Sequence, residues 1–355
     1  MDHNKKTTKV LVAMSGGVDS SAAAHLILSQ GYDAIGGTMR LTDGLPMNSP
    51  NDSDIEGARN TCRQLGIEHT ILDLCNEFRK CVVDYFISVY LCGATPNPCI
   101  VCNKNIKFGE MLKEAARLGC DKLATGHYAQ VERSADGRYL LKRSLDPEKD
   151  QSYMLWTLSQ QQLSKVIFPL GNLKKSEVRE LAASLSFNNA YKKDSQDVCF
   201  IPDGDYAKFI EIYTGKESIS GDYVDMDGNV LGKHKGIIHY TIGQRKGLGI
   251  ALGQPMFVHS KSVERNTVTL CKNEELFGKS VIATDINLIS TDKIEAPMKV
   301  LAKARYGQKA SPATVEQISE NTLKIEFDEP IRAISPGQSI VFYDGDTVVG
   351  GGIIK

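Results

Sequence analysis

The chain of 355 residues lacks several features that would assign it to a broad class of protein. It has no apolar run long enough to cross a bilayer. Its first nine residues, MDHNKKTTK, lack the apolar core of a signal peptide. We therefore expect a cytoplasmic protein with no membrane partner. The formal net charge is only -1, so any nucleic acid would have to be held by local basic patches rather than by the field of the whole protein.

Two familiar site motifs are also missing. No second Cys-x-x-Cys and no pair of histidines stands at zinc-finger spacing from Cys99 and Cys102, so we expect no structural metal centre. No Gly-Lys-Ser/Thr sequence ends a glycine loop, which disfavours ordinary kinase or GTPase chemistry. The nine cysteines are too scattered for a disulfide framework, and most have the apolar or helical surroundings of core thiols, as at Cys62, Cys81 and Cys120.

The most informative stretch that is present combines a strand, a glycine turn and a helix start. Leu11–Met14 predicts a short buried strand, Ser15-Gly16-Gly17 interrupts it, and a helix follows from Ser20. Adjacent glycines let backbone N–H groups turn toward a ligand, and the positive end of a helix dipole favours an anion. The stretch therefore predicts a phosphate site. A plain turn with a serine or aspartate helix cap remains an alternative.

Strands and helices then alternate through the first 130 residues. The predicted strands are Asp33–Met39, Thr70–Leu74 and Lys122–Thr125. Ser53 and Glu56 have the spacing of a capping box for one of the helices between them. This alternation predicts an α/β fold with a doubly wound parallel sheet, whose ligands bind beyond the carboxyl ends of the strands. The glycine loop, Met39 and Gly126 should meet at that edge.

A second informative stretch, TPNPCIVCNK at 95–104, lies between two predicted helices. Its two prolines favour an extended loop, so Cys102 should stand near the start of a helix at Ile106–Leu118, with Lys104 and Lys107 close by. A helix N-terminus and nearby lysines both lower the pKa of a thiol. The pattern therefore predicts that Cys102 is a nucleophile.

The rest of the chain changes character after about residue 205. Before that point, a hairpin is predicted at Tyr128–Arg143, and the polar run Lys192–Asp197 leads to Cys199 and an apolar end. On these residues alone Cys199 would be a buried thiol. We divide the chain into a first domain at 1–205, a small central domain at 206–276 and a C-terminal antiparallel β-barrel at 277–355.

Two levels of family resemblance follow from these motifs. SGGVDSS resembles the PP-loop of the ATP pyrophosphatase superfamily, whose members cleave ATP between its alpha and beta phosphates and adenylate an oxygen. Eight segments in order resemble the bacterial tRNA-specific 2-thiouridylase (MnmA) family: AMSGGVDSS, TPNPCIVCNKNIKFG, ATGHYA, KDQSYML, DSQDVCFI, GIIHYTIGQRKGLGI, KARYGQ and SPGQSIVFY. That family uses ATP to replace the 2-carbonyl oxygen of the wobble uridine of certain tRNAs by sulfur.

The resemblance implies a set of residue roles. Cys102 would be the nucleophile and Cys199 would carry the incoming persulfide. ATP, with Mg²⁺, would be bound by Ala13, Met14, Ser15, Gly16, Gly17, Val18, Asp19, Ser20, Met39 and Gly126. The target base would meet Asn97, Pro98 and Cys99. The tRNA would be contacted by the central domain and by His127, Lys149, Asp150, Gln151, Arg305, Tyr306 and Gln338. The implied partners are tRNA and a persulfide donor, either a cysteine desulfurase or a sulfur-relay protein.

The resemblance leaves several points open. Sulfur could leave Cys199 through attack by Cys102, which forms a disulfide between them, or the persulfide could attack the uridine directly. Either route needs the two thiols to come close in at least one state. Some family members have Asp in place of Cys99, so the resemblance assigns Cys99 a contact with the base but no acid or base role. Many have Arg in place of Gly307, so the resemblance does not carry over a tRNA phosphate contact at this position. Short charged runs such as Lys149–Gln151 are also compatible with a solvated face.

Two other functions are compatible with parts of the sequence. The first is a PP-loop ligase of small-molecule metabolism, although such an enzyme has no obvious use for the basic glycine-rich segment at 239–249 or for an added barrel. The second is an iron–sulfur-dependent tRNA thiolase, in which Cys99, Cys102 and Cys199 would be three cluster ligands.

Overall fold

The computed structural model describes residues 8–47, 52–190 and 198–355. These residues form a parallel sheet, a small four-stranded sheet and a larger mainly antiparallel sheet that includes a closed barrel. Within these ranges no helix combines the length and the apolar character needed to cross a membrane.

The parallel sheet lies at the centre of the first domain and confirms the predicted fold class. Its strands are β1 (Lys9–Ala13), β2 (Asp33–Arg40), β3 (Glu68–Asp73), β4 (Lys122–Ala124) and β7 (Val166–Ile167), in the order β3-β2-β1-β4-β7. Val10, Leu11 and Val12 of the central strand are fully buried, as expected for a strand covered by helices on both faces. The carboxyl ends of β1, β2 and β4 meet at one edge.

The helices of this domain begin and end at residues that differ from those predicted from the sequence. They are α1 (Val18–Ser29), α2 (Asp52–Leu65), α3 (Cys75–Phe78), α4 (Asp84–Leu91), α5 (Pro98–Cys102) and α6 (Met111–Arg117), with π-helical turns at Arg79–Val83 and Asn103–Glu110. The capping box at Ser53 and Glu56 is wrong, because α2 already includes Ser53 in its first turn. The predicted start near Ile106 is also wrong. The helix begins at Pro98, whose fixed φ suits the first helical position.

A hairpin and a helical segment connect this domain to the rest of the chain. The predicted hairpin is present as β5 (Gln130–Arg133) and β6 (Tyr139–Lys142), and β6 joins the C-terminal sheet where Lys142 pairs with Thr347. A 3₁₀ turn (Ser152–Leu155), α7 (Gln160–Leu163) and α8 (Lys175–Ser184) follow. The predicted polar run at 192–197 lies outside the described residues.

The central part of the chain is a small sheet with one helix. It contains α9 (Tyr206–Thr214), β8 (Gly221–Val224), β9 (Val230–His234), a 3₁₀ turn (Ile237–His239), β10 (Phe257–Ser262) and β11 (Thr267–Cys271), with strand order β10-β11-β8-β9. Tyr223, Tyr240 and Val258 form part of its separate core. The glycine-rich segment therefore packs against its own small core rather than against the parallel sheet.

The C-terminal barrel confirms the antiparallel fold predicted for this end of the chain. After a 3₁₀ turn (Asn273–Leu276), it contains β12 (Phe277–Leu288), β13 (Met298–Lys303), β14 (Ser311–Ser319), β15 (Thr322–Arg332), β16 (Ser339–Asp344) and β17 (Thr347–Ile354). The order β12-β15-β14-β13-β16-β17 closes through pairing of β12 with β17. Trp156 donates to the Ser339 hydroxyl at 3.1 Å, and Tyr153 donates to the Ser339 carbonyl at 2.7 Å. The barrel is thus fastened to the first domain by buried hydrogen bonds.

Candidate active site

The glycine loop, residues 15–20, connects β1 to α1 and is ordered by its own polar groups. Gly16 has φ +70°, and a Cβ there would lie 2.4 Å from the Asp54 carbonyl oxygen, so only glycine fits. The Ser20 hydroxyl accepts from the Ser15 N–H at 3.2 Å and donates to the Gly17 carbonyl at 2.9 Å. Gly17 is the N-cap of α1 and has no capping side chain. The first N–H groups of α1 are therefore available to an anion, as predicted.

Asp19 in the first turn of α1 is held by two residues from distant parts of the chain. The Lys175 ammonium lies 2.7 and 2.8 Å from its two carboxylate oxygens, and the Tyr128 hydroxyl donates to it at 2.8 Å. The side chain of Lys175 is only 10% exposed. Removing either charge would leave the other poorly solvated. Sequence reasoning found Asp19 but missed Lys175, because nothing local links two residues 156 positions apart.

Asn189 is a second residue that sequence reasoning missed. Its side-chain amide donates to the Gly16 carbonyl at 3.0 Å and to the Ser21 hydroxyl at 2.9 Å. Ser21 is in turn within 3.2 Å of the Thr61 hydroxyl on α2. These contacts brace the back of the glycine loop against α2 and the segment after α8. The only sequence signal was an asparagine in a short polar stretch, which is too common to be informative.

The other residues predicted to bind the nucleotide lie at the same sheet edge. A Cβ at Gly126, just after β4, would lie 2.9 Å from the Asp19 carbonyl carbon, so the two backbones are in close contact. Met14 donates its N–H to the Gly37 carbonyl on β2 at 2.8 Å, two residues before Met39. The loop, Met39 and Gly126 therefore converge as expected. That ATP contacts them stays a prediction.

The cysteine-containing loop is supported by the barrel. Asn97 caps the helix by accepting from the Ile100 N–H at 3.4 Å, which places Cys99 and Cys102 on consecutive turns. The Gln338 amide donates to the carbonyls of Thr95 and Pro96 at 2.9 and 3.1 Å. In this conformation Gln338 thus positions the backbone that precedes the cysteines. Its predicted contact with tRNA remains a prediction.

Three thiols, those of Cys99, Cys102 and Cys199, act on one another electrostatically, and we call them the cysteine site. Burial raises the pKa of Cys102 to about 12, although Lys107 opposes it, and Cys199 and Cys99 raise it further. Burial also raises the pKa of Cys199 to about 11, and Cys99 adds to the shift. Cys199 and Cys99 still have solvent-exposed surface. The predicted lowering of the pKa of Cys102 is wrong for this conformation, because loss of water outweighs the charge of Lys107.

Cys199 is anchored by the residue that follows it. Phe200 is 1% exposed and makes edge-to-face contacts with Phe78, Phe86 and Phe209 at centroid distances of 5.5, 5.3 and 5.4 Å. Such contacts fix a backbone position through a large apolar side chain. The predicted apolar end after Cys199 is therefore present, and it holds this thiol near enough to Cys102, which precedes it by 97 positions, to affect the pKa of Cys102.

Several residues predicted to contact tRNA have structural partners here. His127 is 8% exposed and lies 2.6 Å from the Thr125 hydroxyl, and burial holds its pKa well below 6.5, so it is neutral. Asp150 accepts from Ser152, and the Gln151 side chain accepts from the Tyr128 N–H at 3.0 Å. Neither His127 nor Asp150 resembles an exposed phosphate contact in this state.

The remaining predicted tRNA contacts lie near the cysteine site or at a domain junction. Burial raises the pKa of Tyr306, Asp150 and Cys99 add to the shift, and Lys149 opposes it, so these groups surround one region. Arg305 donates to the Ile242 carbonyl at 2.9 Å and also to Ser335. Arg305 thus links the central sheet to the barrel. The roles of these residues in binding RNA stay predictions.

No group of three or more histidine, cysteine or acidic side chains is arranged to hold a metal ion within the ranges 8–47, 52–190 and 198–355. The three cysteines of the site all fall within these ranges.

Sequence comparisons agree with this architecture. Three family models match the chain: the tRNA methyl transferase HUP domain at residues 8–203, the tRNA methyl transferase PRC-barrel domain at 207–272, and the aminomethyltransferase beta-barrel domain at 278–354. Among solved structures, the U34-tRNA thiolase NcsA from Methanococcus maripaludis aligns with a TM-score of 0.36 at 21% identity, over 60% of this chain and 68% of that chain. That likeness is too low to carry an argument.

Curated relatives align along nearly the full length. The tRNA-specific 2-thiouridylase MnmA of Clostridioides difficile is 50% identical over 353 residues, which is 98% of both chains. The protein of the same name from Acetivibrio thermocellus is 48% identical over 98% of this chain and 99% of its own, and that from Clostridium acetobutylicum is 47% identical over 98% and 99%. The chain therefore belongs to the tRNA-specific 2-thiouridylase (MnmA) family.

Proposed function

We propose that this protein is an ATP-dependent tRNA-uridine 2-sulfurtransferase that acts on the wobble uridine. The family relationship supports the reaction class. The observation that supports the proposal is the electrostatic interaction of Cys102 with Cys199, in the same domain as a glycine loop whose helix N-terminus carries no capping side chain. The glycine loop would bind the ATP that activates the 2-carbonyl oxygen of the uridine, and the cysteine site would deliver the sulfur.

The first half of the reaction belongs to the glycine loop. The 2-carbonyl oxygen of the uridine attacks the alpha phosphorus of ATP, the bond to the beta phosphate breaks, and pyrophosphate leaves. The N–H groups at the start of α1 would hold the leaving phosphates, because they have no partner within the helix. Mg²⁺ would enter with the nucleotide. A metal that keeps several waters and binds mainly to phosphate oxygens needs only one or two protein carboxylates, so the lack of a preformed acidic cluster in the described ranges is compatible with it.

The second half belongs to the cysteine site. A persulfide on Cys199 supplies the sulfur that attacks carbon 2 of the adenylated uridine, and AMP leaves. If Cys102 attacks the inner sulfur of that persulfide, a Cys102–Cys199 disulfide forms and the terminal sulfur is released as hydrosulfide, after which an outside thiol must reduce the disulfide. A cysteine desulfurase or a sulfur-relay protein would load Cys199.

Cysteine variants test this assignment. Cys102→Ser and Cys199→Ser should each abolish formation of 2-thiouridine, while tRNA-dependent release of AMP survives in part, because activation of the carbonyl precedes attack by sulfur. Mass spectrometry after incubation of Cys102→Ser with a persulfide donor should find the extra sulfur on Cys199. Full thiolation by either variant, or a persulfide found only on Cys102 of the wild type, would overturn the assigned roles.

The small-molecule ligase alternative predicts a different outcome. An enzyme of that class would release AMP with a metabolite and without tRNA. Analysis of wobble nucleosides in cells with and without the gene separates the two functions, since only a thiouridylase changes the 2-thiouridine content.

A further inference from the structure

A π-helical turn follows Cys102 directly and changes which residues share its face. The turn covers Asn103–Glu110. In an α-helix, five residues advance by about 500°, which leaves Cys102 and Lys107 about 140° apart around the axis. In a π-helix the hydrogen bond joins residue i to residue i+5, so residues with this spacing lie closer together around the axis than they do in an α-helix. The wider turn therefore brings Lys107 toward the side of the helix that carries Cys102.

The π-helical turn is held from outside by the side chain of Gln162. Its amide nitrogen donates to the carbonyl oxygens of Lys104 and Phe108, at 3.2 and 2.6 Å. The amide oxygen accepts from the Ser159 N–H at 2.9 Å, which fixes the side chain to the start of α7. Gly109 adds a second adaptation, since a Cβ there would lie only 3.2 Å from the Lys104 carbonyl oxygen. A helix with these supports is stabilised in its wide form.

The charge of Lys107 acts on every thiol of the cysteine site. It lowers the pKa of Cys99, Cys102 and Cys199, in each case against a larger opposing effect of burial. Lys104, one turn earlier, is exposed and does not contribute to any of these shifts. The titratable and charged groups that face the site from the packed elements of the described chain are Cys99, Cys102, Cys199, Lys107, Tyr306, Asp150, Lys149 and the neutral His127.

We propose that Lys107 stabilises the ionised sulfur atoms of the cysteine site, and that Gln162 is a positioning residue that acts through Lys107 by holding the π-helical turn. The proposal rests on the proposed function, which makes Cys102 and Cys199 the sulfur-transfer pair. When a thiol of the site ionises, its proton passes to solvent water and the ammonium group faces the resulting charge. No oxidant or reductant is consumed in this step. Burial opposes ionisation, so the charge of Lys107, which lowers the pKa of all three thiols, increases the fraction of thiolate.

Alkylation of the intact chain without tRNA tests the role of Lys107. The rate of reaction of each site cysteine with iodoacetamide is measured against pH by peptide mass spectrometry. Lys107→Met should shift the profiles of Cys99 and Cys199 upward by about one pH unit, which is a roughly tenfold loss of rate on the rising limb, because a tenfold change in thiolate fraction corresponds to one pKa unit. Lys104→Met is the matched control and should leave both profiles in place. An unchanged profile in Lys107→Met overturns the proposal.

A double-variant cycle tests the role of Gln162. Gln162→Leu removes both hydrogen bonds to the π-helical turn and should shift the alkylation profiles in the same direction as Lys107→Met, by a smaller amount. In the Lys107→Met background it should cause no further shift, because the charge it positions is gone. Equal shifts in both backgrounds would show that Gln162 does not act through Lys107. Ser159→Ala, which weakens the cap of α7 but keeps the Gln162 amide, is the control for general loosening.

Two further measurements keep folding and function separate from this test. The melting temperature and ATP affinity of Gln162→Leu should stay close to those of the wild type if its fold is intact, since Gln162 lies away from the glycine loop. If Cys102→Ser thiolates tRNA normally, the proposed sulfur-transfer roles fail even where the alkylation profiles behave as expected. If the roles hold and the profiles do not move, only the present inference fails.

Discussion

The glycine loop and the cysteine site lie in one domain but are built in opposite ways. The glycine loop comes from a single contiguous stretch, and its own residues supply hydrogen bonds that order it ahead of α1. The cysteine site combines residues 97 positions apart, and its thiols have pKa values raised toward 11 and 12. The difference teaches that the order of the loop depends on local hydrogen bonds, whereas the raised pKa values of the thiols depend on burial by distant segments.

The largest effect that would sharpen this comparison is loss of the carboxylate at Asp19. Asp19→Asn should lower tRNA-dependent AMP release by more than about a hundredfold, because it removes the charge that holds Lys175 and Tyr128 against the first turn of α1, and a small misplacement of groups around the reacting atoms can cost this much. Thiolation should fall with it, unlike the outcome for Cys102→Ser. The measurement is AMP release by chromatography.

A stability control is needed because Lys175 would be left without its partner. A buried ammonium that loses its counter-charge typically costs about 3–5 kcal/mol. The double variant Asp19→Asn/Lys175→Met removes both charges and should regain melting temperature without regaining AMP release. If AMP release returns in the double variant, Asp19 serves only to pair Lys175.

A smaller effect is expected at Asn189, which braces the glycine loop from behind. Asn189→Ala removes two hydrogen bonds, so the KM for ATP should rise about tenfold, the equivalent of 1.4 kcal/mol. The reactivity of Cys199 toward iodoacetamide should not change. The neighbouring exposed Asn188→Ala is the control. A rise in KM that is equal in both variants would show that the contacts with Gly16 and Ser21 have no special role.

A still smaller effect concerns RNA. Affinity for tRNA should fall steeply with salt, and Lys149→Ala should reduce the slope of log K against log salt by about one. The control variant is made at Lys299, a lysine of the barrel that forms an ion pair with Asp328. An unchanged slope in Lys149→Ala would favour the solvated-face interpretation of this charged run.

The smallest effect should come from a thiol outside both regions. Cys62 is fully buried beneath the parallel sheet, and burial raises its pKa to about 11. Cys62→Ser places a hydroxyl in an apolar position and should cost about 1–2 kcal/mol of unfolding free energy, with AMP release and thiolation unchanged. Loss of thiolation at normal stability would mean that the cysteine site is larger than the three thiols described.

The sequence predicted those features that depend on neighbours along the chain. The parallel sheet and the C-terminal antiparallel barrel follow from local patterns and are confirmed. The contacts of Lys175 and Asn189 with the loop could not be predicted, because they depend on how distant segments pack. The same holds for the raised pKa of Cys102, which results from burial by the complete fold. The π-helical turn depends on hydrogen bonds from Gln162, more than fifty residues away.

The hydrogen bonds from the barrel to the cysteine-containing loop affect the order in which the two regions can fold during synthesis of the protein. Gln338 holds the carbonyls of Thr95 and Pro96, and its own backbone is bonded to Ile354 at the end of β17. Contacts between segments so far apart in the chain form late, because a long loop must close first. On the ribosome, Asn189, which braces the glycine loop, is therefore synthesised well before Gln338, so the glycine loop can assemble before the support of the cysteine loop exists. A polypeptide that ends before the last strand would contain the glycine loop but would lack the support of the cysteine-containing loop. We therefore expect such a truncated chain to be recognised by protein quality control as incompletely folded.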